Sequence, residues 1–143
     1  MLNDYIEMRR LWNDDTLSLL EVICASEIIT MKTEVYVTDA LIDELVHQIK
    51  QFLNKQIMES CWSNGRKGNG STACLSLHFF HKDTLGHILI EVFAELDDGG
   101  DYNRHNCCFY INTEMGLLER FCIRLQQLKH STSDMKIVLN EKM

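Results

Sequence analysis

The chain has 143 residues, of which 45% are hydrophobic and 24% are charged, and its formal net charge at pH 7 is −7. This length and composition predict one globular domain with one core rather than a disordered or fibrous chain. The acidic balance argues against binding to nucleic acid phosphates, and no apolar run is long enough for a membrane span. The N-terminal residues lack a signal-peptide pattern, and six cysteines in mostly apolar surroundings favour free thiols, so a cytoplasmic protein is expected.

The first third of the chain is predicted to contain an arm and a strand pair. Residues 1–15 mix apolar and charged side chains without a long period, and we expect them to form an N-terminal arm. A ββα half follows at residues 16–58. Leu17–Val37 is rich in residues that favour strands. A first strand is expected at Leu17–Cys24 and a second at Ile29–Val37, where apolar and polar residues alternate as they do in a half-buried strand.

A helix completes this half, because apolar residues recur at helical spacing across Leu41–Leu53. Thr38 or Asp39 is expected to cap it, since either side chain can accept a hydrogen bond from an amide of the first turn. The polar, glycine-rich residues 61–72 carry too little apolar surface to pack, and they are predicted to form a loop between the two halves.

The second half, residues 73–130, is predicted to open with a β-hairpin around residues 83–86. If Lys82 lies opposite His87, both strands direct their apolar residues to one core face. The facing pairs are then Phe79 with Ile90, Leu77 with Val92, and Leu75 with Ala94.

An acidic turn at residues 97–101 and a third strand at residues 106–111 are expected next. Thr113 is predicted to cap a second helix, whose apolar residues lie between Leu117 and Leu128. Residues 131–143 are predicted to form a polar tail.

These elements predict an α+β fold in the order ββα-βββα. About five mainly antiparallel strands would form one sheet, with both helices packed on one face. The two halves also resemble each other, since Tyr36-Val37-Thr38-Asp39 and Tyr110-Ile111-Asn112-Thr113 each precede a helix. This alignment gives an offset of 74 residues for the strands, while the apolar positions of the helices superpose at 76.

Candidate catalytic and metal-binding residues cluster in the second half. Histidines and cysteines are the ligands that zinc prefers, and a cysteine beside a histidine can act as a nucleophile. The spacing matches no zinc motif, and His81 and His78 are expected on opposite faces of one strand. We therefore expect no metal, no cofactor and no catalytic residue, although an enzyme that uses these groups stays an alternative. The candidates are His78, His81, His87, His105, Cys107 and Cys108.

The strongest functional feature is the outer face of the predicted hairpin. Five side chains are expected to point away from the core, three of them large and apolar, and they are His78, Phe80, Leu89, Glu91 and Phe93. An exposed apolar patch usually marks an interface. As an alternative, the patch is covered by the arm, through Leu11 and Trp12, or by Ile137-Val138-Leu139 of the tail.

Three segments carry a family resemblance, and they are Val35-Tyr36-Val37-Thr38-Asp39-Ala40-Leu41-Ile42-Asp43-Glu44-Leu45, Phe109-Tyr110-Ile111-Asn112-Thr113-Glu114-Met115-Gly116-Leu117-Leu118, and Leu85-Gly86-His87-Ile88-Leu89-Ile90-Glu91-Val92. Together they resemble small bacterial immunity-type proteins that accompany polymorphic or contact-dependent toxins. The likeness covers about two thirds of the chain. It implies a cytoplasmic protein that binds and blocks one cognate toxin, for which an acidic surface suits a basic target. A structural homodimer is the alternative.

Overall fold

The structure is a computed structural model, and it describes residues 3–66, 68, 73–96, 105–130 and 135–140. The strands and helices in these ranges are β1 (Tyr5–Asn13), β2 (Ser18–Ala25), β3 (Thr30–Val37), α1 (Asp39–Leu53), β4 (Glu59–Ser63), β5 (Leu75–His81), β6 (His87–Leu96), β7 (His105–Glu114), α2 (Met115–Leu128) and β8 (Lys136–Leu139). They form two antiparallel sheets of four strands each. Sheet 1 has the order β3-β2-β1-β8, and sheet 2 has the order β4-β5-β6-β7.

The predicted α+β class, with antiparallel strands and two helices, is confirmed. The single five-stranded sheet and the order ββα-βββα are wrong, because three segments expected to be irregular contain strands. The expected arm at 1–15 contains β1, the expected loop at 61–72 begins inside β4, and the expected tail at 131–143 contains β8. Residues 67, 69–72, 97–104, 131–134 and 141–143, on which parts of the loop, the acidic turn and the tail were predicted, lie outside the described residues.

β1 was not predicted from the sequence because a buried charged residue interrupts its apolar pattern. Ile6 and Met8 point into the core, and the next inward position holds Arg10, which is 2% exposed. The apolar alternation is therefore interrupted after two residues. β4 and β8 are short, at five and four residues, and each pairs with a strand from the other half of the chain. β8 and β1 lie at opposite ends of the chain, so a local sequence pattern carries no information about their pairing, whereas β4 pairs with the next strand, β5, and was missed because it is short.

The chain consists of two βββαβ units that exchange their fourth strands. The first unit is β1-β2-β3-α1-β4 and the second is β5-β6-β7-α2-β8. The fourth strand of each unit joins the sheet of the other, since β4 pairs with β5 and β8 pairs with β1. Each sheet is therefore completed by the opposite unit, which makes folding of the two halves interdependent.

The helices show the same repeat at an offset of 76 residues. Every buried position of α1 has a buried counterpart in α2 at this offset, and the pairs are Ile42/Leu118, Leu45/Phe121, Val46/Cys122, Ile49/Leu125 and Phe52/Leu128. The thiol of Cys122 also donates to the carbonyl oxygen of Val46, at 3.7 Å across 76 positions. Equivalent residues meet in this way only near an axis that relates the two units, so α1 and α2 cross close to a pseudo-twofold axis.

The repeat alignment predicted for the strands was shifted. Val37 lies opposite Ser18 in sheet 1, and Thr113 lies opposite Ile88 in sheet 2. Val37 and Thr113 therefore occupy equivalent positions, which extends the helical offset of 76 into the strands and replaces the predicted 74.

The same shift explains one wrong helix cap. The Thr38 side chain accepts from the Leu41 amide at 3.2 Å, so the predicted cap of α1 is confirmed. Thr113 lies inside β7 instead of capping α2, and its hydroxyl donates to Asn140 Oδ1 at 2.7 Å. Glu114 occupies the cap position of α2 without a side-chain capping bond.

A pair of asparagines secures the strand exchange. Asn64, after β4, donates through Nδ2 to the carbonyl oxygens of Tyr36 and Ala73, both at 3.2 Å. Asn140, after β8, donates in the same way to the carbonyl oxygens of Asn112 and Asp4, both at 2.8 Å. Each asparagine therefore ties the end of the third strand of one unit to the start of the first strand of the other.

Both sheets and both helices contribute to one continuous core. The helices pack against each other, α1 contacts β4, and α2 contacts β7 and β8. The Thr33 hydroxyl on β3 donates to the Glu95 carbonyl oxygen on β6 at 2.9 Å, which links the two sheets directly. Each sheet thus has one face directed to this core and one outer face.

Candidate protein-binding face of sheet 2

The predicted hairpin register is confirmed. The Lys82 amide donates to the His87 carbonyl oxygen at 2.9 Å, and the three apolar pairs face each other as expected from the sequence. His78 consequently lies opposite Glu91, and Phe80 lies opposite Leu89, on the outer face of sheet 2. These residues and Phe93 are all partly exposed.

The two segments proposed as an alternative cover for this face lie elsewhere in the described structure. Leu11 and Trp12 lie in β1, and residues 137–139 lie in β8, so both segments are strands of sheet 1. Ile137 and Leu139 are fully buried in the core instead of packing over sheet 2.

β4 and β7 extend the outer face on both sides of the hairpin. The Cys61, His78, Glu91 and Tyr110 positions form one row across all four strands, and Glu59, Phe80, Leu89 and Asn112 form the next. Tyr110 is 49% exposed. Sequence analysis missed Tyr110 and Glu59. Tyr110 could have been found by extending the hairpin register to the next strand, whereas no local pattern indicated β4.

Ring stacking and hydrogen bonds order the side chains of the central rows. The His78 and Phe80 rings stack with centroids 4.1 Å apart, and His78 Nε2 lies 3.5 Å from the Glu59 carboxylate. The Tyr110 hydroxyl donates to Glu91 Oε2 at 2.9 Å. This hydrogen bond and the adjacent negative charge raise the pKa of Tyr110 above its ordinary value, because both disfavour the phenolate.

The outer face of sheet 1 provides an internal comparison, because the two sheets are equivalent in the repeat. In sheet 1 the central row is occupied by charged residues, namely Glu34, Glu21, Arg9 and Lys136. Glu21 pairs there with both Arg9 and Lys32, each at 3.3 Å. In sheet 2 only the carboxylate is kept at the equivalent position, as Glu91, and its neighbours are uncharged or aromatic.

The strands of the two sheets also differ in their content of charged residues, and those of sheet 2 are the more acidic. The four strands of sheet 2 contain four glutamates and neither lysine nor arginine. The strands of sheet 1 contain three glutamates together with four basic residues, which are Arg9, Arg10, Lys32 and Lys136. The outer face of sheet 2 therefore combines aromatic and aliphatic groups with carboxylates that have no lysine or arginine on their own strands.

The histidines and cysteines of the enzyme alternative are spread over separate environments. His81 stacks on Phe52 with ring centroids 4.0 Å apart, and His87 Nδ1 lies 2.6 Å from the Asp83 carboxylate in the hairpin turn. Burial, together with the neighbouring Cys108, raises the pKa of the Cys107 thiol and so disfavours its thiolate. No group of three or more potential metal ligands occurs within the described ranges.

Two concave regions lie outside the sheet 2 face. One, of about 360 Å³, lies between α1 and α2, and its lining includes Lys50, Leu53, Met115 and Ile123. The other, of about 550 Å³, lies beside the free edge of β7, between that strand and the β2–β3 turn. Neither contains the histidine and cysteine set that sequence analysis considered for catalysis.

Comparison with known proteins finds no matching family model, no matching curated protein and no matching solved structure. In the described residues, neither helix has the length and apolar character required to cross a membrane.

Proposed function

We propose that the protein is a binding module that holds and blocks a basic partner protein against the outer face of sheet 2. The supporting observation is the difference between the two equivalent outer faces. The central row of sheet 1 is a paired charge network, whereas the central row of sheet 2 carries Glu91 between His78 and Tyr110. Both outer faces carry apolar groups, Trp12, Leu19 and Tyr36 in sheet 1 and Phe80, Leu89 and Phe93 in sheet 2, so the difference that supports the proposal is the missing charge network. This mode of action is the one implied by the resemblance to toxin-neutralising immunity proteins.

The apolar side chains supply the anchoring groups of the proposed interface. Aromatic residues with little conformational freedom dominate binding energy at interfaces, and here His78 and Phe80 are already stacked before any partner arrives. Less side-chain entropy is then lost on binding.

The carboxylates determine which partner fits. Glu59 and Glu91 lie within the same face, and its strands contain no basic residue apart from histidines. The one lysine that reaches the described part of this face is Lys82 of the hairpin turn, whose ammonium donates to Asn112 Oδ1 at 2.9 Å. A lysine- or arginine-bearing partner would neutralise these groups. A second copy of the chain would instead bring like carboxylates together and add a second net charge of −7, which opposes face-to-face dimerisation.

The experiment compares two double variants at equivalent positions. Leu89→Thr/Phe93→Thr removes apolar groups from sheet 2, and Leu19→Thr/Ile23→Thr does the same in sheet 1. Threonine retains a high strand propensity, so both variants should fold. Each protein is immobilised, and the proteins that it retains from an extract of the source organism are identified by mass spectrometry. The retained protein is then expressed in a host cell with and without the chain.

We expect one basic protein to be retained by the wild type and by the sheet 1 variant, and to be lost from the sheet 2 variant. That protein should slow growth of the host only when the chain is absent. Equal retention by both variants would exclude the sheet 2 face as the binding site. A wild-type dimer in sedimentation equilibrium that only the sheet 2 variant dissociates would assign the face to self-association.

A further inference from the structure

β7 is an edge strand of sheet 2, and its outward backbone groups have a defined direction. The backbone amide of Asn112 donates to Asp4 Oδ2 at 2.8 Å, so this N–H points away from β6. In an antiparallel pair the backbone groups of alternate residues point the same way. The N–H and C=O of Tyr110 therefore also point away from β6, toward the space beside the sheet.

This space is the cavity of about 550 Å³ next to β7. Its opposite wall is the β2–β3 turn, which presents Ile28, at 91% exposure, and Ile29. Two carboxylates, of Asp4 and Glu27, also line it, and no lysine or arginine occurs among its described lining residues. The volume lies within the range of about 300–1,000 Å³ that is typical of ligand sites.

We propose that an extended, basic peptide segment of the partner binds in this cavity as an added fifth strand of sheet 2, paired with β7. The outward N–H and C=O of Tyr110 supply a backbone donor and acceptor, as in other cases of strand addition. The turn supplies an apolar wall for every second side chain of the peptide, and the carboxylates match basic side chains at the alternate positions. The inference rests on the proposed function for the nature of the ligand, and it adds where and in what conformation a segment of that ligand docks.

The Asp4–Asn112 contact limits the site on one side. It occupies the outward backbone amide of Asn112, and Asn140 occupies the carbonyl oxygen of the same residue, so pairing with β7 has to begin beyond Asn112, at Tyr110. The segment is therefore short, and alternation between apolar and basic residues matters more than length.

The test uses a blocked hexapeptide of alternating lysine and valine, titrated into the full chain by calorimetry. Tyr110→Pro removes one outward N–H without removing a ladder hydrogen bond, because proline is tolerated where the amide of an edge strand faces outward. The matched control is Glu34→Pro on β3, which holds the equivalent edge position in sheet 1. Ile28→Lys is a second variant, and its side chain is too exposed to affect folding.

We expect saturable binding to the wild type, at least tenfold weaker binding to Tyr110→Pro and to Ile28→Lys, and unchanged binding to Glu34→Pro. The sheet 2 variant Leu89→Thr/Phe93→Thr should bind the hexapeptide like the wild type. Circular dichroism checks the fold of each variant. If Tyr110→Pro is unfolded, Ile28→Lys alone decides the outcome.

Absence of saturable binding at millimolar hexapeptide, or equal weakening by Glu34→Pro, would overturn the edge site. If the partner is still lost from the sheet 2 variant in that case, the proposed function stands and only the strand addition fails. If the hexapeptide binds at the edge but no partner depends on the sheet 2 face, the strand addition stands and the proposed function fails.

Discussion

Replacement of Asn140 with alanine tests the mechanism that holds the exchanged strands in place. The side chain is 8% exposed and makes three hydrogen bonds, two as donor to the Asp4 and Asn112 carbonyl oxygens and one as acceptor from the Thr113 hydroxyl. A buried polar group left without its partner costs about 1–3 kcal/mol. Some relaxation and water entry will follow, so we expect the free energy of unfolding to fall by about 2–4 kcal/mol.

The backbone of Asn140 adds a further cost. Its φ is 65°, in the left-handed region that asparagine tolerates and alanine does not, which adds about 1 kcal/mol. Asn140→Gly removes the side chain without this strain and should therefore destabilise the protein less than Asn140→Ala does.

Asn64→Ala is the matched control. Asn64 makes three comparable bonds, but it is partly exposed, and its φ does not lie in the left-handed region. Water can replace the lost groups, so we expect a decrease of about 1 kcal/mol. Urea denaturation at pH 7 measures all three variants. A loss of less than about 1 kcal/mol for Asn140→Ala would refute the claim that Asn140 secures the exchange, and a loss no larger than for Asn64→Ala would refute the added cost assigned to its burial and its left-handed φ.

Two solution properties follow from the burial and contacts of single groups. Cys61 and Cys108 are exposed, so these two thiols should react within seconds with a disulfide reagent at pH 8, while the buried thiols of Cys24 and Cys74 should react only at the rate of unfolding. Slow reaction at either exposed site would contradict the described fold. Glu91 accepts a hydrogen bond from the Tyr110 hydroxyl and raises the pKa of Tyr110. In Glu91→Gln the Tyr110 pKa should therefore fall toward its ordinary value of 10.0, which an ultraviolet titration measures. Because the Tyr110 pKa is higher in the folded state, its contribution to stability is present below the unfolded pKa and is lost as pH rises through the folded pKa.

The elements that sequence analysis found are those whose packing follows from local periodicity. The alternation in β3, β5 and β6 and the helical spacing in α1 and α2 each select one buried face. The hairpin register was predicted residue by residue, because the Lys82 and His87 positions fix every following pair. The helical offset of 76 also anticipated the repeat.

The missed elements are short or depend on a distant partner. β4 and β8 bury only Ser60, Trp62, Ile137 and Leu139 between them, which is too few residues to define a period. β4 pairs with the next strand, β5, across the loop predicted from the sequence, whereas β8 pairs with β1 at the opposite end of the chain, which no sequence window contains. The single predicted sheet follows directly from this omission, since the second sheet exists only once β1 and β8 are recognised.

The outer face could be predicted in orientation, but its contrast with sheet 1 could not. The hairpin register alone directs Phe80 and Leu89 outward. The charged row of sheet 1 that serves as the comparison passes through Arg9 in β1. Because β1 was not predicted, the sequence could not distinguish a binding surface from an ordinary strand surface.

Replacement of the two equivalent glutamates distinguishes a structural role of the carboxylate from a role in binding a partner. Glu21 and Glu91 occupy the same position of the repeat, and both become uncharged on replacement by glutamine. The Glu21 side chain is 11% exposed and pairs with Arg9 and Lys32, whereas Glu91 is hydrogen-bonded to the phenol of Tyr110. The Arg9 and Lys32 side chains are 40% and 61% exposed, so solvent screening reduces the strength of both ion pairs.

We therefore expect Glu21→Gln to lower the free energy of unfolding by about 1 kcal/mol in dilute salt, and by less in 1 M salt, because screening already weakens these pairs. Glu91→Gln should change stability by less than about 0.5 kcal/mol, while it weakens binding of the basic partner. Denaturation at two salt concentrations and a binding assay on the same two proteins measure both effects. If Glu91→Gln destabilises as much as Glu21→Gln, the sheet 2 carboxylate is structural, and the charge contrast between the faces no longer indicates a partner.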